Sequence, residues 1–480
     1  MDRAQPKLDF IAPNFNPFIL QLVHLSLPIL QRFRLQPWLP AGISRIETVN
    51  GETLVDLYHQ FQMGKIRLIL AFRHCEVDDP LSGLYLLSRA MPKIARQQDI
   101  PLQFPIHSHF MYDRGMTIWA GNWLGWLFAR IGGIPVHRGK TLDWQAIKKA
   151  RELLVNGKFP LTVAPEGATN GHSEVVSPLE PGVAQLAFWC VEDLAKASRV
   201  EEVVVVPINI QYHYVNPQWS KLDWLLSNLE ADCGLAKESI DIASKEKPEQ
   251  FYYRRLLRLG EYLLTEMEHF YRHFYHRNFP DLPQDSLSRE ENLTVRLQNL
   301  LDVSLQVGEE YFGLKQKGNI IERCRRLEEA GWNYIYREEP AKLNNLSPLK
   351  RGLADWVAAE ASLRMSHMRL AESFVAVTGT YIKEKPCFER FAETSLILFD
   401  AIARIKGTKN PRRPRLGWRK SRVTIGEPIS VNERAVAYQQ NCEGLWRESN
   451  SRPCKPRQGA KQAVARLTQD LQVALEKMIV

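Results

Sequence analysis

His74 and Asp79 stand five residues apart in the run His74-Cys-Glu-Val-Asp-Asp79, a spacing across which a turn can bring the carboxylate against one imidazole nitrogen. The other nitrogen is then able to take the proton of a hydroxyl as that hydroxyl attacks, a general-base contribution of typically about 10²–10⁴ in rate. The same residues have a plainer use. Asp79 precedes Pro80 and a run of helix formers, so it is also placed to cap a helix, with His74 as a half-buried loop residue. A second polar turn, Pro165-Glu166-Gly167, puts a carboxylate at the end of another apolar run. Three further spacings fail on inspection. Gly133 and Gly139 before Lys140-Thr141 have five residues between them where a phosphate loop has four, and Pro135 and Val136 favour strand. His269, His273 and His276 share one helical face without an adjacent carboxylate or cysteine to complete a metal site. Gly171-His-Ser173 lacks the second glycine of a nucleophile elbow.

The elements that must position these groups are legible around them. Arg67 to Phe72, RLILAF, is too short and apolar for anything but a buried strand, and it delivers the chain directly to His74. Pro80 then opens the helical run LSGLYLLSRAMPKIA, making a strand, loop and helix unit. The unit recurs. Asp143 to Asn156 has its apolar residues near one helical face, Gly157 stops it, and FPLTVA runs as a strand into Pro165. A helix from Val183 to Ala195 leads to the strand VVVVPINI, Val203 to Ile210. Alternating strands and helices predict an α/β sheet with parallel pairs, whose ligands bind outside the carboxyl ends of the strands, where His74 and Glu166 both lie. Beyond Tyr214 the alternation stops for roughly 200 residues of helical periodicity, including one long amphipathic helix through Leu256, Leu263, Phe270 and Phe274. RVTIGEPI, Arg422 to Ile429, then reads as strand and turn, and Lys461 to Val480 as a closing helix.

With these residues in place the chain resembles the glycerophosphate and lysophosphatidate acyltransferases that share a His-x4-Asp motif. His74-x4-Asp79 matches the first block of that family, Gly132-Gly-Ile-Pro-Val-His-Arg138 after GNWLGWLFARI the second, Pro165-Glu166-Gly167 the third and Val206-Pro207 the fourth. The resemblance implies a mixed sheet flanked by helices, with His74 as base and Asp79 as its orienting partner. It implies Arg138, Glu166 and Gly167 as substrate-binding residues, Arg138 on an acceptor phosphate. It also implies an acyl-CoA or acyl-ACP thioester as donor, 1-acylglycerol-3-phosphate as acceptor, and no bound cofactor or metal. Donors near Glu166 to Ala168 would support the developing oxyanion. The expected organisation is an amphipathic segment over 1–46, the acyltransferase core over 47–215, a large helical insertion over 216–415 and a closing strand and helix over 416–480.

The chain departs from the family where charge matters. Arg73 precedes the histidine where asparagine is usual, the third block continues Ala168-Thr169-Asn170 in place of Thr-Arg-Ser, and Glu180 stands before Gly182 where a basic residue is common. A neutral or amine-bearing lipid acceptor therefore stays open, as does a catalytically silent lipid-binding relative.

Composition sets the remaining bounds. Forty-five per cent apolar residues in 480 can bury a sizeable core, and seven scattered cysteines without a CxxC pair suit a reducing compartment. The start MDRAQPKLDF lacks the pattern of a secretory signal, and no apolar stretch reaches the ~20 residues that a membrane-spanning helix needs. Asn16 to Phe33 is apolar enough to lie in a membrane interface or to dock on the protein's own core. The net charge of +9 equals the nine basic residues between Arg404 and Arg422, a stretch with no acid. Such a run suits an anionic lipid surface, where each Lys or Arg adds about 1 kcal/mol. The expected partners are accordingly a membrane surface, approached peripherally from the cytoplasmic side, and the thioester carrier, with no nucleic acid.

Overall fold

The computed structural model describes residues 3–34, 39, 42–137, 143–238, 247–281, 288–337, 346–408, 411–439 and 458–480. Its centre is an eight-stranded, mostly parallel sheet. The strands are β2 (Ile43–Val49), β3 (Ile66–Phe72), β4 (His109–Asp113), β5 (Gly133–Val136), β6 (Leu161–Val163), β7 (Glu202–Tyr214), β9 (Arg419–Ile425) and β10 (Ile429–Ser430). Their order is β2-β9-β7-β3-β6-β4-β5, with β10 on β7. Parallel pairing joins β7 to β3, β3 to β6, β6 to β4 and β4 to β5. The late strand β9 enters antiparallel to β7 and parallel to β2, so the end of the chain inserts between early strands.

The uninterrupted apolar runs of β3 and β7 are explained by burial on both faces. Ile69, Ala71, Val203 and Val205 pack one way, with helices α7 (Trp144–Asn156), α8 (Gly182–Lys196) and α17 (Gln458–Lys477). Leu68, Leu70, Val204 and Val206 pack the other way, with α2 (Gly51–Gln62) and the helical run α3 (Asp79–Tyr85), a π turn (Leu86–Ala90) and α4 (Met91–Gln97). Asp143 caps α7 through Ala146 N–H and Gly157 ends it, as the sequence indicates.

The helical region comprises α9 (Trp219–Asp232), α10 (Pro248–Tyr275), α11 (Arg289–Phe312), α12 (Ile320–Ile335), α13 (Pro348–Phe374), α14 (Tyr381–Glu384) and α15 (Phe388–Ile405). A capping box of Ser288 and Glu291 starts α11. On α10 the rings of His269 and His273 stack, and His276 is the helix's left-handed cap.

Gln5–Pro6 (β1) pairs with Tyr336–Arg337 (β8), and Ala4 N–H donates to Asp355 at 2.9 Å, so this stretch docks on the helical region. Helix α1 (Pro17–Arg32), capped by Asn16, turns Leu20 and Leu27 inward and leaves Phe18, Leu22, Leu25, Ile29 and Phe33 exposed. It packs on α6 (Asn122–Arg130), which exposes Trp123 and Trp126. Among the described residues no helix is long and apolar enough to cross a membrane.

Candidate active site

Strand β3 carries the chain to the carboxyl edge of the sheet, where His74 emerges with its side chain 26% exposed. Its Nδ1 lies 3.2 Å from Asp79 Oδ2, leaving Nε2 as the nitrogen able to accept a proton. Asp79 is fully buried and does not cap its own helix. Its Oδ2 also accepts from Glu76 N–H at 2.8 Å, and its Oδ1 accepts from the Tyr212 hydroxyl at 2.6 Å. The helix-cap alternative thus gives way to a carboxylate pinned on three sides and aimed at the imidazole. Cys75 beside it is buried, and that burial pushes its thiol far up, so it stays a neutral thiol rather than a thiolate nucleophile.

Position 73, just before the histidine, shapes the rest of the site. The Arg73 guanidinium is wholly buried. It donates to the carbonyls of His172, Ser173 and Val175 and to Asn209 Oδ1, and its Nε lies 3.3 Å from Glu166 Oε1. Glu166, the expected substrate contact, sits behind this guanidinium. Its carboxylate is buried and is engaged by Arg73, by Ser177 N–H at 2.9 Å and by Asn170 Nδ2 at 3.3 Å, so it fastens the loop 165–177. Burial raises its pKa while Arg73 pulls it back down. Asn170, one of the departures from the family pattern, also donates to Val175 O and Ser177 Oγ, and Gly171 N–H donates to Cys75 O at 3.0 Å.

Gly167 is a conformational requirement. Its φ is +71°, and a Cβ there would lie 2.2 Å from Glu180 Oε1. Glu180 in turn meets Arg325 Nε of α12 at 3.2 Å, and Arg325 also pairs with Glu328 and Glu372. The carboxylate that stands where a basic residue was expected therefore holds the helical region against the third block. The same region grips the loop from its other side. Glu393 of α15 accepts from Ser173 N–H at 3.0 Å and from Tyr381 OH at 2.7 Å, burial pushing its carboxyl up to about 7. Arg138 lies outside the described residues, but β5 delivers the chain to its neighbour His137 at the same edge of the sheet.

The basic run behaves differently from a solvated patch. Arg413 pairs with Asp400 and Glu76, Arg419 with Asp78, Lys420 with Glu47 and Lys406 with Asp232, while Arg404 donates to Ser373 Oγ. Lys409 lies outside the described residues. Four of the nine basic residues are thus paired with carboxylates of the protein, two of these being arginines beside the His74 to Asp79 loop. A string of basic residues does not show which of them have carboxylates waiting across the fold.

Residues 98–211 match the Acyltransferase family model. The chain carries an acyltransferase-family domain. The matched stretch includes Arg138, the Pro165-Glu166-Gly167 turn and Val206-Pro207, and begins after His74 and Asp79. No curated protein and no solved structure matches the chain. The family domain, set in a mostly parallel sheet flanked by helices, supports a glycerolipid acyltransferase activity in general.

Proposed function

We propose that this acyltransferase moves a fatty acyl group from an acyl-CoA or acyl-ACP thioester to the hydroxyl of a glycerolipid, 1-acylglycerol-3-phosphate foremost. The observation that carries this reading is the contact of His74 Nδ1 with the buried Asp79 carboxylate while the imidazole stays partly open to solvent. The acceptor oxygen attacks the thioester carbon as its proton passes to Nε2, the thiolate leaves, and the proton returns to the sulfur. Asp79 holds the ring and stabilises the transient imidazolium. The reaction needs no metal or bound cofactor.

A second reading, a neutral or amine-bearing acceptor, is favoured by one feature: Glu180 lies against Gly167, so the third block faces a carboxylate. A competition assay with lysophosphatidate and a neutral monoacylglycerol separates the two. Arg138→Ala is expected to raise the apparent KM for lysophosphatidate about tenfold or more with little change for the thioester, since an arginine fork is the strongest phosphate holder available. Faster acylation of the neutral lipid, with no effect of Arg138→Ala, would leave only the general activity.

The protein would work peripherally on a membrane, with the apolar stripe of α1 as its contact. Phe18, Leu25 and Ile29 are 64%, 63% and 52% exposed on one face, and burying three such side chains contributes roughly 1.5–3 kcal/mol each. Replacing all three by serine is expected to release the protein from sedimenting vesicles by at least about a hundredfold. Unchanged sedimentation would remove α1 from the interface.

A further inference from the structure

Asp79 is a wholly buried carboxylate, so each of its oxygens needs a donor from the protein. Among the described residues Oδ2 has two, the His74 ring and the Glu76 amide. Oδ1 has the Tyr212 hydroxyl at 2.6 Å and, at 3.9 Å, only the weak donor of the Cys75 thiol. Tyr212 arrives there through the architecture of β7. The pairing of β7 with β3 ends at Ile208, opposite Phe72, and β7 runs on past it to Tyr214. Along that overhang β9 pairs with it from Ile208 opposite Ile425 to Tyr214 opposite Arg419, which keeps it extended. The two-residue period of a strand then puts Tyr212 on the face of Val204, Val206, Ile208 and Ile210, under the helical run that Asp79 opens.

The phenol is held as a donor and in one direction. Burial, with the Asp79 charge beside it, pushes its ionisation far above the ordinary tyrosine range, so the hydroxyl keeps its proton. Arg419 lays its guanidinium 4.6 Å over the Tyr212 ring and pairs with Asp78, the neighbour of Asp79. One side chain of β9 thereby steadies both the phenol and the His74 to Asp79 loop. A donor on Oδ1 has two effects on the base. It fixes the plane of the carboxylate, and so the place where Oδ2 meets His74 Nδ1, and it draws negative charge away from Oδ2, which weakens the pull of the carboxylate on an imidazolium.

We propose that Tyr212 is a positioning residue of the acyl transfer, acting on His74 through Asp79, with Arg419 as the brace of its ring. The assignment rests on the reaction proposed above. Tyr212→Phe removes the hydroxyl and keeps the ring. Its kcat is expected to fall about tenfold, with KM for thioester and acceptor changed by less than about twofold. The acidic limb of kcat/KM is expected to move upward by roughly half a pH unit or more, because an unshared Asp79 charge favours the protonated ring. A loss of packing alone would lower the melting temperature and leave that limb in place. The ionisable groups around Asp79 and Tyr212 besides His74, namely Arg73, Cys75, Glu76, Asp78, Glu166 and Arg419, are the same in both proteins, so the limb reports the hydroxyl. A kcat within about twofold of wild type, or a lower kcat without upward movement of the limb, overturns the proposal. If Tyr212→Phe fails to fold, 3-fluorotyrosine at position 212, a more acidic phenol of nearly the same shape, should move the limb the other way, and an unmoved limb overturns the proposal. An NMR titration of the His74 ring nitrogens in the full chain, with and without the substitution, needs no turnover. A wild type that transfers no acyl group from any thioester, while the substitution still moves the His74 midpoint, would refute the acyltransferase reading and leave the link from Tyr212 through Asp79 to His74 standing. An unmoved midpoint overturns the link itself.

Discussion

His74→Ala is expected to reduce acyl transfer by on the order of a thousandfold or more, and Asp79→Asn by at least about a hundredfold, with both proteins folded. His74 is partly exposed, and among the described residues its ring bonds to Asp79 alone, so its removal costs chemistry rather than stability. Asp79 is different, because Tyr212 and the Glu76 amide also use it. The asparagine amide can keep its oxygen toward Glu76 N–H and His74 and turn its nitrogen to the Tyr212 oxygen, so the shape survives. What it loses is the negative charge beside the imidazolium. Melting should therefore report only about 1–3 kcal/mol, the scale of one compromised buried polar group, while turnover falls far more. Near-normal turnover together with a large loss of stability would make Asp79 a fold-holding residue and end its role in proton transfer.

The largest loss of stability should come from Arg73→Met, about 3–5 kcal/mol, because it leaves the buried Glu166 carboxylate without its cation and strips three carbonyls of their donor. Arg73→Lys should rescue little, since one ammonium cannot reproduce a planar fork that reaches Ser173, His172, Val175 and Glu166 together. The informative comparison is the double variant Arg73→Met/Glu166→Gln. Removing the stranded charge should recover a measurable part of the stability lost in Arg73→Met. Denaturant midpoints of the single and double variants provide the check. Additive losses in the double variant would show that Arg73 and Glu166 are not energetically coupled, and the buried pair would then not be what fastens the loop 165–177.

The sequence alone determined the frame of the site. A buried strand must end where its apolar run ends, so RLILAF placed His74 at the carboxyl edge of the sheet, and FPLTVA did the same for Pro165 to Gly167. Helix periodicity and Gly157 gave α7, and the unbroken valines of β7 indicated burial on both faces. The five-residue spacing of His74 and Asp79 gave two readings of equal geometric merit, base partner or helix cap. Only the arrival of Tyr212, 133 residues further along the chain, shows the carboxylate turned away from its own helix. Tertiary structure likewise decided the charges. Glu166 read as a carboxylate in a polar turn, and only the fold shows that Arg73 and the amide of Ser177 hold it. Glu180 looked like a lost positive charge, and it is a fastening point for Arg325 of the helical region. The basic run before β9 looked like a surface, yet Arg413 and Arg419 within it turn onto Glu76, Asp78 and Asp400. The physical reason is the same in each case. Hydrophobic periodicity is local and repeats within a few residues, whereas an ion pair in a buried site is settled by whichever opposite charge the fold brings within about 4 Å, and sequence distance carries no record of that meeting.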